Sequence, residues 1–322
     1  MRILARLLAG ALLLFTAAAA SGEDYPTRPV RIIVPFAAGG PADIYARFIG
    51  QRLETALGQP FVIDDRPGAG SVIGTDAAAK SAPDGYTLLL MSNTQTVNES
   101  LLPNKPYALM RDFVPIAPVN YSDLVLVVHP GVPAKTLAEL IALAKAKPGK
   151  LNYASSGPGT PYHMAGELFK AMAGVDIVHI PYKGSSQART DTLGGQVDMM
   201  FDAVTTMSEF ARAGKVRALA TSGKVRSSVL PDVPTLDEAG VPGYEAVLWL
   251  GIIAPKNTPP EIVRRLNAEV TKIVANPGVR AEWAKQGAVA MTMTPDEFGR
   301  YLTDDIAKWE RIVRISGAQP DK

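Results

Sequence analysis

Four short loops in this chain combine glycine with polar or hydroxyl side chains, and each runs from an apolar segment into a helical pattern. The first is Val34-Pro35-Phe36-Ala37-Ala38-Gly39-Gly40-Pro41, and the second Arg66-Pro67-Gly68-Ala69-Gly70-Ser71. The third is Ser155-Ser156-Gly157-Pro158-Gly159-Thr160, followed by Pro161, and the fourth Tyr182-Lys183-Gly184-Ser185. Glycine lets a backbone approach a ligand without Cβ obstruction. Proline suits the first helical position, where its missing N–H is no loss. A helix start offers free N–H groups at the positive end of a dipole, so each loop is an anion site in outline. Ser155, Ser156, Thr160 and Ser185 add hydroxyl donors. Dipole and neutral hydrogen bonds can together hold a carboxylate or phosphate without a buried arginine. A single glycine loop reads equally well as a tight turn; four of one kind favour a ligand.

Other polar residues stand where they could join such a site. Asp202 ends the apolar run Met199-Met200-Phe201, and either accepts a hydrogen bond from a ligand or caps a neighbouring loop. Ser92 and Asn93, with Thr94 beside them, end the run 87–91 in the same way. Asp43, in a first helical turn, reads as a cap. Ser155 or Ser156 with His163 and Asp202 invites comparison with a hydrolase, but Gly-x-Ser-x-Gly is missing and His163 falls in a first helical turn. His129 and His179 have no metal-site spacing. Gly157-Pro158-Gly159-Thr160 lacks the following Lys-Ser/Thr of a nucleotide loop. No catalytic residue, metal or cofactor is expected, and the chain is read as no enzyme.

The elements that must carry these loops alternate. Residues 30–34, 61–63 and 87–91 read as strands, with helices over 44–57 and up to 79 between them. The same grammar returns at 151–154, 177–180 and 197–201, with helices over 161–172 and 187–193. Alternation of this kind implies right-handed crossovers and a largely parallel sheet, and ligands bind beyond the carboxyl ends of such strands. Two α/β lobes are therefore expected, their loops facing across one cleft. The first covers 21–124 and 244–322 and the second 125–243, the apolar runs 124–128 and 248–253 carrying the two crossings. Helices follow over 259–275, 277–286 and 295–316, the last with Phe298, Leu302, Ile306, Trp309 and Ile312 at helical spacing. Residues 94–118 read as one long loop.

Met1, Arg2 and Arg6, an apolar core over 7–15 and Ala18-Ala19-Ala20 form an export signal over 1–20, cleaved near Ala20. The apolar core is short for a membrane span. The chain has no cysteine, so neither disulfides nor lipid attachment are available, and free diffusion in a periplasm is expected. Its formal charge of +2 is that of Arg2 and Arg6, so the chain beyond Ala20 is neutral, which argues against a nucleic-acid partner.

Tyr25-Pro26, Arg28-Pro29-Val30-Arg31-Ile32-Ile33-Val34-Pro35-Phe36, Gly39-Gly40 and Asp43 resemble the opening of the tripartite tricarboxylate transporter substrate-binding family, also called TctC or Bug proteins. Arg66-Pro67-Gly68-Ala69-Gly70, Pro83-Asp84-Gly85-Tyr86-Thr87, Tyr153-Ala154-Ser155-Ser156-Gly157 and Pro181-Tyr182-Lys183-Gly184 continue the match. So do His163-Met164, Gly166-Glu167, Gly195-Gln196-Val197-Asp198, Pro231-Asp232-Val233-Pro234-Thr235 and Trp249 with Gly251. The resemblance covers nearly the whole chain after the leader. It implies a type II periplasmic binding fold (a Venus flytrap) with a closing interlobe cleft. It also implies a small organic acid as ligand and a permease of a large and a small integral-membrane subunit as partner. The ligand's carboxylate end would be gripped by the loops at 36–40 and 155–160, with the Asp202 position in the pocket. Ala37-Ala38, Ala203 and Thr94-Gln95-Thr96 depart from the family's usual residues, so the ligand cannot be copied from a relative. A module signalling to a sensor kinase would share this fold and pocket. A monomer is expected.

Overall fold

The computed structural model describes residues 25–319; the expected leader at 1–20 lies outside them. In chain order, β1 (Val30–Val34), α1 (Pro41–Leu57), β2 (Phe61–Asp65), α2 (Val72–Ala79) and β3 (Thr87–Ser92) form a first unit. Helices α3 (Asn93–Leu101) and α4 (Leu109–Asp112) lead to the long strand β4 (Phe113–Val128), and α5 (Leu137–Ala146) follows. A second unit comprises β5 (Asn152–Ser155), α6 (Pro161–Ala173), β6 (Val178–Pro181), α7 (Ser185–Leu193) and β7 (Met199–Ala203). Then come α8 (Val204–Arg212), β8 (Arg217–Thr221), β9 (Val247–Pro255), α9 (Pro260–Ala275), α10 (Pro277–Gln286), β10 (Ala288–Ala290) and α11 (Pro295–Ser316). Among the described residues no helix is long and apolar enough to cross a membrane.

The two units are built alike. β1 lies between β2 and β3, all parallel, and β5 lies between β6 and β7, again all parallel. β9 and β4 join them antiparallel, giving the order β2-β1-β3-β9-β4-β7-β5-β6. Parallel strands buried on both faces must be apolar throughout, and Ile32, Ile33, Val34 and all of Leu88, Leu89, Leu90 and Met91 are buried. The last helix meets its expectation: Phe298, Leu302 and Trp309 are buried, with Asp305 among them. Its start is fixed by a capping box between Thr294 and Glu297. Trp309 packs in one cluster with Val97 and Leu101 of α3 and with Met164 of α6, so α11 ties the two units together behind the cleft.

Residues 94–118 are not a loop. Asn93–Leu101 is helical, although its threonines and asparagines favour caps and turns, because Ser92 and Gln95 close a capping box. Gln95 Nε2 also donates to Ser71 Oγ and Thr75 Oγ1 at 3.0 and 3.1 Å, anchoring α3 on α2. Further on, Pro115 and Pro118 disguise a strand. They lie where the β4–β9 register shifts, the irregularities at which a sheet tolerates proline.

β4 changes partner midway. Phe113 to Asp123 pair with β9, whereas Leu124 to Val128 pair with β7 and β8. The return crossing runs through Ala246 into β9. Ser222, fully buried, clasps the two crossings. Its Oγ accepts from Leu124 N at 2.8 Å, its N–H donates to Leu124 O at 2.9 Å, and its C=O accepts from Ala246 N at 3.1 Å. Ser222 Oγ also donates to Ala246 O. Ser222→Ala strands a buried N–H and a buried C=O, so stability should fall by about 1–3 kcal/mol. Urea denaturation reads this; an unchanged midpoint would show that the clasp contributes nothing.

Candidate functional site

Four helices begin at one small interior space. Gly40, Pro41 and Ala42 of α1, Ser92 at the start of α3, Pro161 and Tyr162 of α6, and Ser185 of α7 all line it. Phe36, Ala37, Ser156, Leu248 and Leu250 complete its wall, and its volume is about 30 Å3. Two of these starts are closed by their own side chains. Thr160 Oγ1 accepts from His163 N, and Ser92 Oγ accepts from Thr94 N. The other two, at Gly40 and Gly184, have no side-chain cap. Their first-turn N–H groups are therefore left for a ligand, one set from each half of the molecule. A dipole end contributes up to ~2 kcal/mol to a partly buried anion, and four ends sum to several kcal/mol. No charged side chain lines the space, so the positive potential there is that of the backbone.

The loops meet closely across the cleft. Ala37 N donates to Lys183 O at 3.3 Å, and Ser186 Oγ donates to Ala38 O at 3.0 Å. A Cβ on Gly184 would lie 2.8 Å from Ala37 Cβ, and one on Gly40 would lie 2.9 Å from Ser185 Oγ. Glycine is needed at both positions for approach rather than for a special dihedral, since Gly184 is extended with φ of −177°.

Each gripping loop is braced from behind. Asp43 Oδ2 accepts from Gly39 N at 2.9 Å, and Asp43 also pairs with Arg47 at 2.6 Å, so it braces the loop ahead of α1 rather than capping the helix. In the second half, Ser155 Oγ accepts from Gly157 N at 3.0 Å and lies 2.6 Å from His179 Nε2. His163 Nδ1 accepts from Gly159 N at 3.1 Å, and its ring lies 4.2 Å from that of His179. Tyr153 also stacks on His179 and donates to Glu167 at 2.7 Å. Of the side chains of the hydrolase alternative, Ser155 meets His179, and His163 meets Gly159 N.

Asp202 is fully buried. Its Oδ2 accepts from Arg189 Nε at 2.7 Å, and its Oδ1 from Ala203 N at 2.9 Å. Burial works against the Arg189 charge, but Asp202 more than restores it and holds the guanidinium above its ordinary value. The pair ties α7 to β7, and so fixes where the uncapped start of α7 points.

Outside the small cavity the two halves enclose a cleft of about 970 Å3. Segments 35–36, 68–72 and 102–106 form one wall, and 156–158, 180–183 and Gln187 the other. Phe36 and Ser156 line both spaces. Of the residues singled out from sequence, Phe36, Ala37, Gly40, Ser92, Ser156 and Ser185 line the cavity, and Gly157 and Lys183 line the cleft. Ala38, Gly39, Asp43, Thr94, Ser155, Thr160, His163, Gly184 and Asp202 stand behind these in the bonds and contacts described. Asn93 Nδ2 donates to Val247 O at 2.9 Å, holding α3 to β9. Sequence reasoning passed over Tyr162, Leu248 and Leu250. Tyr162 directly follows the helix-starting Pro161, and the two leucines alternate on β9, so period-two spacing was their signal.

A two-lobed sheet with a cleft at its strand ends and helix starts facing inward defines a solute-binding receptor. The model of the tripartite tricarboxylate transporter family receptor matches residues 45–317, and the chain belongs to that family. It is 42% identical to protein BugT of Bordetella pertussis over 305 residues, 94% of each chain. Among solved structures it is similar to Rpa4515 of R. palustris with adipate, at TM-score 0.89 and 34% identity over 92% of this chain and 100% of that one. It is also similar to MatC from Rhodopseudomonas palustris with bound malate, at TM-score 0.86 and 33% identity over 90% of this chain and 100% of that one. These are receptors and not enzymes, and the fold expected from sequence is the one observed.

Burial drives His179 down to about 4, with Glu167 pulling the other way and Lys170 adding a little. The unfolded chain therefore takes up this proton first, so the contribution of neutral His179 is full above about pH 6.5 and is lost as pH falls toward 4. Asp123 and Asp305, pushed up to about 6 by burial, act in the opposite sense and stabilise at low pH. Comparing wild type with His179→Gln by urea denaturation isolates the histidine. The stability difference should shrink by on the order of 3 kcal/mol between pH 7 and pH 4; parallel pH profiles would contradict it.

Proposed function

We propose that this chain is a periplasmic receptor that captures a small carboxylic acid between its lobes and presents it to a permease of a large and a small integral-membrane subunit. The observation that carries the reading is the meeting of two uncapped helix starts, α1 from one half and α7 from the other, on one cavity without a charged lining side chain. An anion shared by both halves stabilises the closed arrangement, because neither half alone completes the donor set. The adipate and malate in the similar receptors are both carboxylates, which supports the same class here. The lobes are read as 21–124 with 244–322, and 125–243, the change of partner along β4 supporting the first boundary. On this reading the 36–40 and 155–160 loops, with Ser92 and Ser185, form the head-group grip, and export follows from the leader expected at 1–20.

Titration calorimetry against mono-, di- and tricarboxylates, aromatic acids and acidic amino acids tests this. At least one carboxylate should bind, and Gly184→Ala should weaken it tenfold or more. The extended backbone there admits an alanine, but its Cβ would lie 2.8 Å from Ala37 Cβ, so the two loops must part. Binding confined to cationic or neutral solutes would overturn the carboxylate reading.

A further inference from the structure

The head-group cavity cannot hold an organic acid beyond its carboxylate. Its volume of about 30 Å3 gives room for roughly two water-sized groups. The body of any ligand must therefore leave it, and the space it enters is the cleft of about 970 Å3, with which the cavity shares Phe36 and Ser156. The walls there are mostly carbon, with Ser71, Asn104, Tyr182 and Gln187 among them. Pro35 and Val72 stand with Leu102 and Pro103 on one side, and Ile180 and Pro181 on the other. No aspartate or glutamate is among the lining residues. Of the two lysines there, Lys105 is turned to Glu99 at 3.1 Å with its side chain only 5% exposed, whereas Lys183 is exposed.

We infer, resting on the carboxylate reading above, that this receptor selects acids with an extended aliphatic or aromatic body. The carboxylate occupies the cavity and the body lies along the apolar walls of the cleft. A compact tricarboxylate of the citrate type fits poorly, because its other charges lie within a few bonds of the first. Lys183 can meet one of them, but the remainder would be pressed against Phe36 and its apolar neighbours, where an unpaired charge is costly.

The test is a chain-length series, acetate to octanoate, with phenylpropanoate and citrate, measured by calorimetry on the unmodified receptor. Once the chain emerges from the cavity, affinity should rise about fourfold per methylene, the factor for burying one CH2 group. Citrate should bind at least tenfold more weakly than hexanoate. Leu102→Ser, which makes the wall polar, should flatten the slope of the series. If short acids bind and added length brings nothing, or if citrate binds tightest, this inference is overturned while the carboxylate reading stands. If no acid of any length binds, the carboxylate reading fails and this inference with it.

Discussion

Two helix starts in this molecule lack the partners that helix starts require. The first-turn N–H groups of α1 and α7 have no side-chain cap, and both helices begin at the wall of one small cavity. Backbone donors left without partners in a narrow, part-buried space are costly, and an anion relieves that cost while gaining from the dipoles. Much of the surrounding architecture serves to keep these two ends aimed at one point. The β1–α1 loop is tied by Asp43 and Arg47, the Arg189–Asp202 pair sets α7 on β7, and His163, its ring against that of His179, holds the 155–160 loop through Gly159 N.

Because the two starts come from opposite halves, the grip exists only when the halves meet. The absence of a Cβ at Gly184 and Gly40 allows that meeting at under 3 Å of what a larger residue would occupy. Ser222 and the partner exchange of β4 hold the crossings together at the other end. Behind the cleft, Trp309 of α11 packs with Met164 of α6. On the proposed reading the head group is met by backbone, which discriminates charge and shape but hardly identity, and the larger cleft meets the rest of the ligand with side chains.

Much of this was legible in sequence where a local rule is strong. Gly40-Pro41 and Thr160-Pro161 mark helix starts, the buried strands are uninterrupted apolar runs, and the repeated order of loops and strands implies two like units. Asn93–Leu101 was hidden because its threonines and asparagines favour caps and turns, a preference overridden by the Ser92–Gln95 capping box and by the bonds of Gln95 to Ser71 and Thr75. β4 was hidden because Pro115 and Pro118 usually break strands and here sit at register shifts. Asp202 illustrates the remaining limit. Its place at a strand end near the pocket could be read, but its partner Arg189, thirteen positions earlier on another element, could not.

The claim that backbone donors hold a negative charge is tested most directly by a pair of ligands differing only in that charge. An acid that the receptor binds and its primary amide, nearly equal in shape, should be compared by calorimetry at pH 7. The carboxylate should bind at least a hundredfold more tightly, since the amide brings no charge to the helix ends and presents an N–H group to donors. Equal affinity for acid and amide would contradict an anion site at the meeting of these helices.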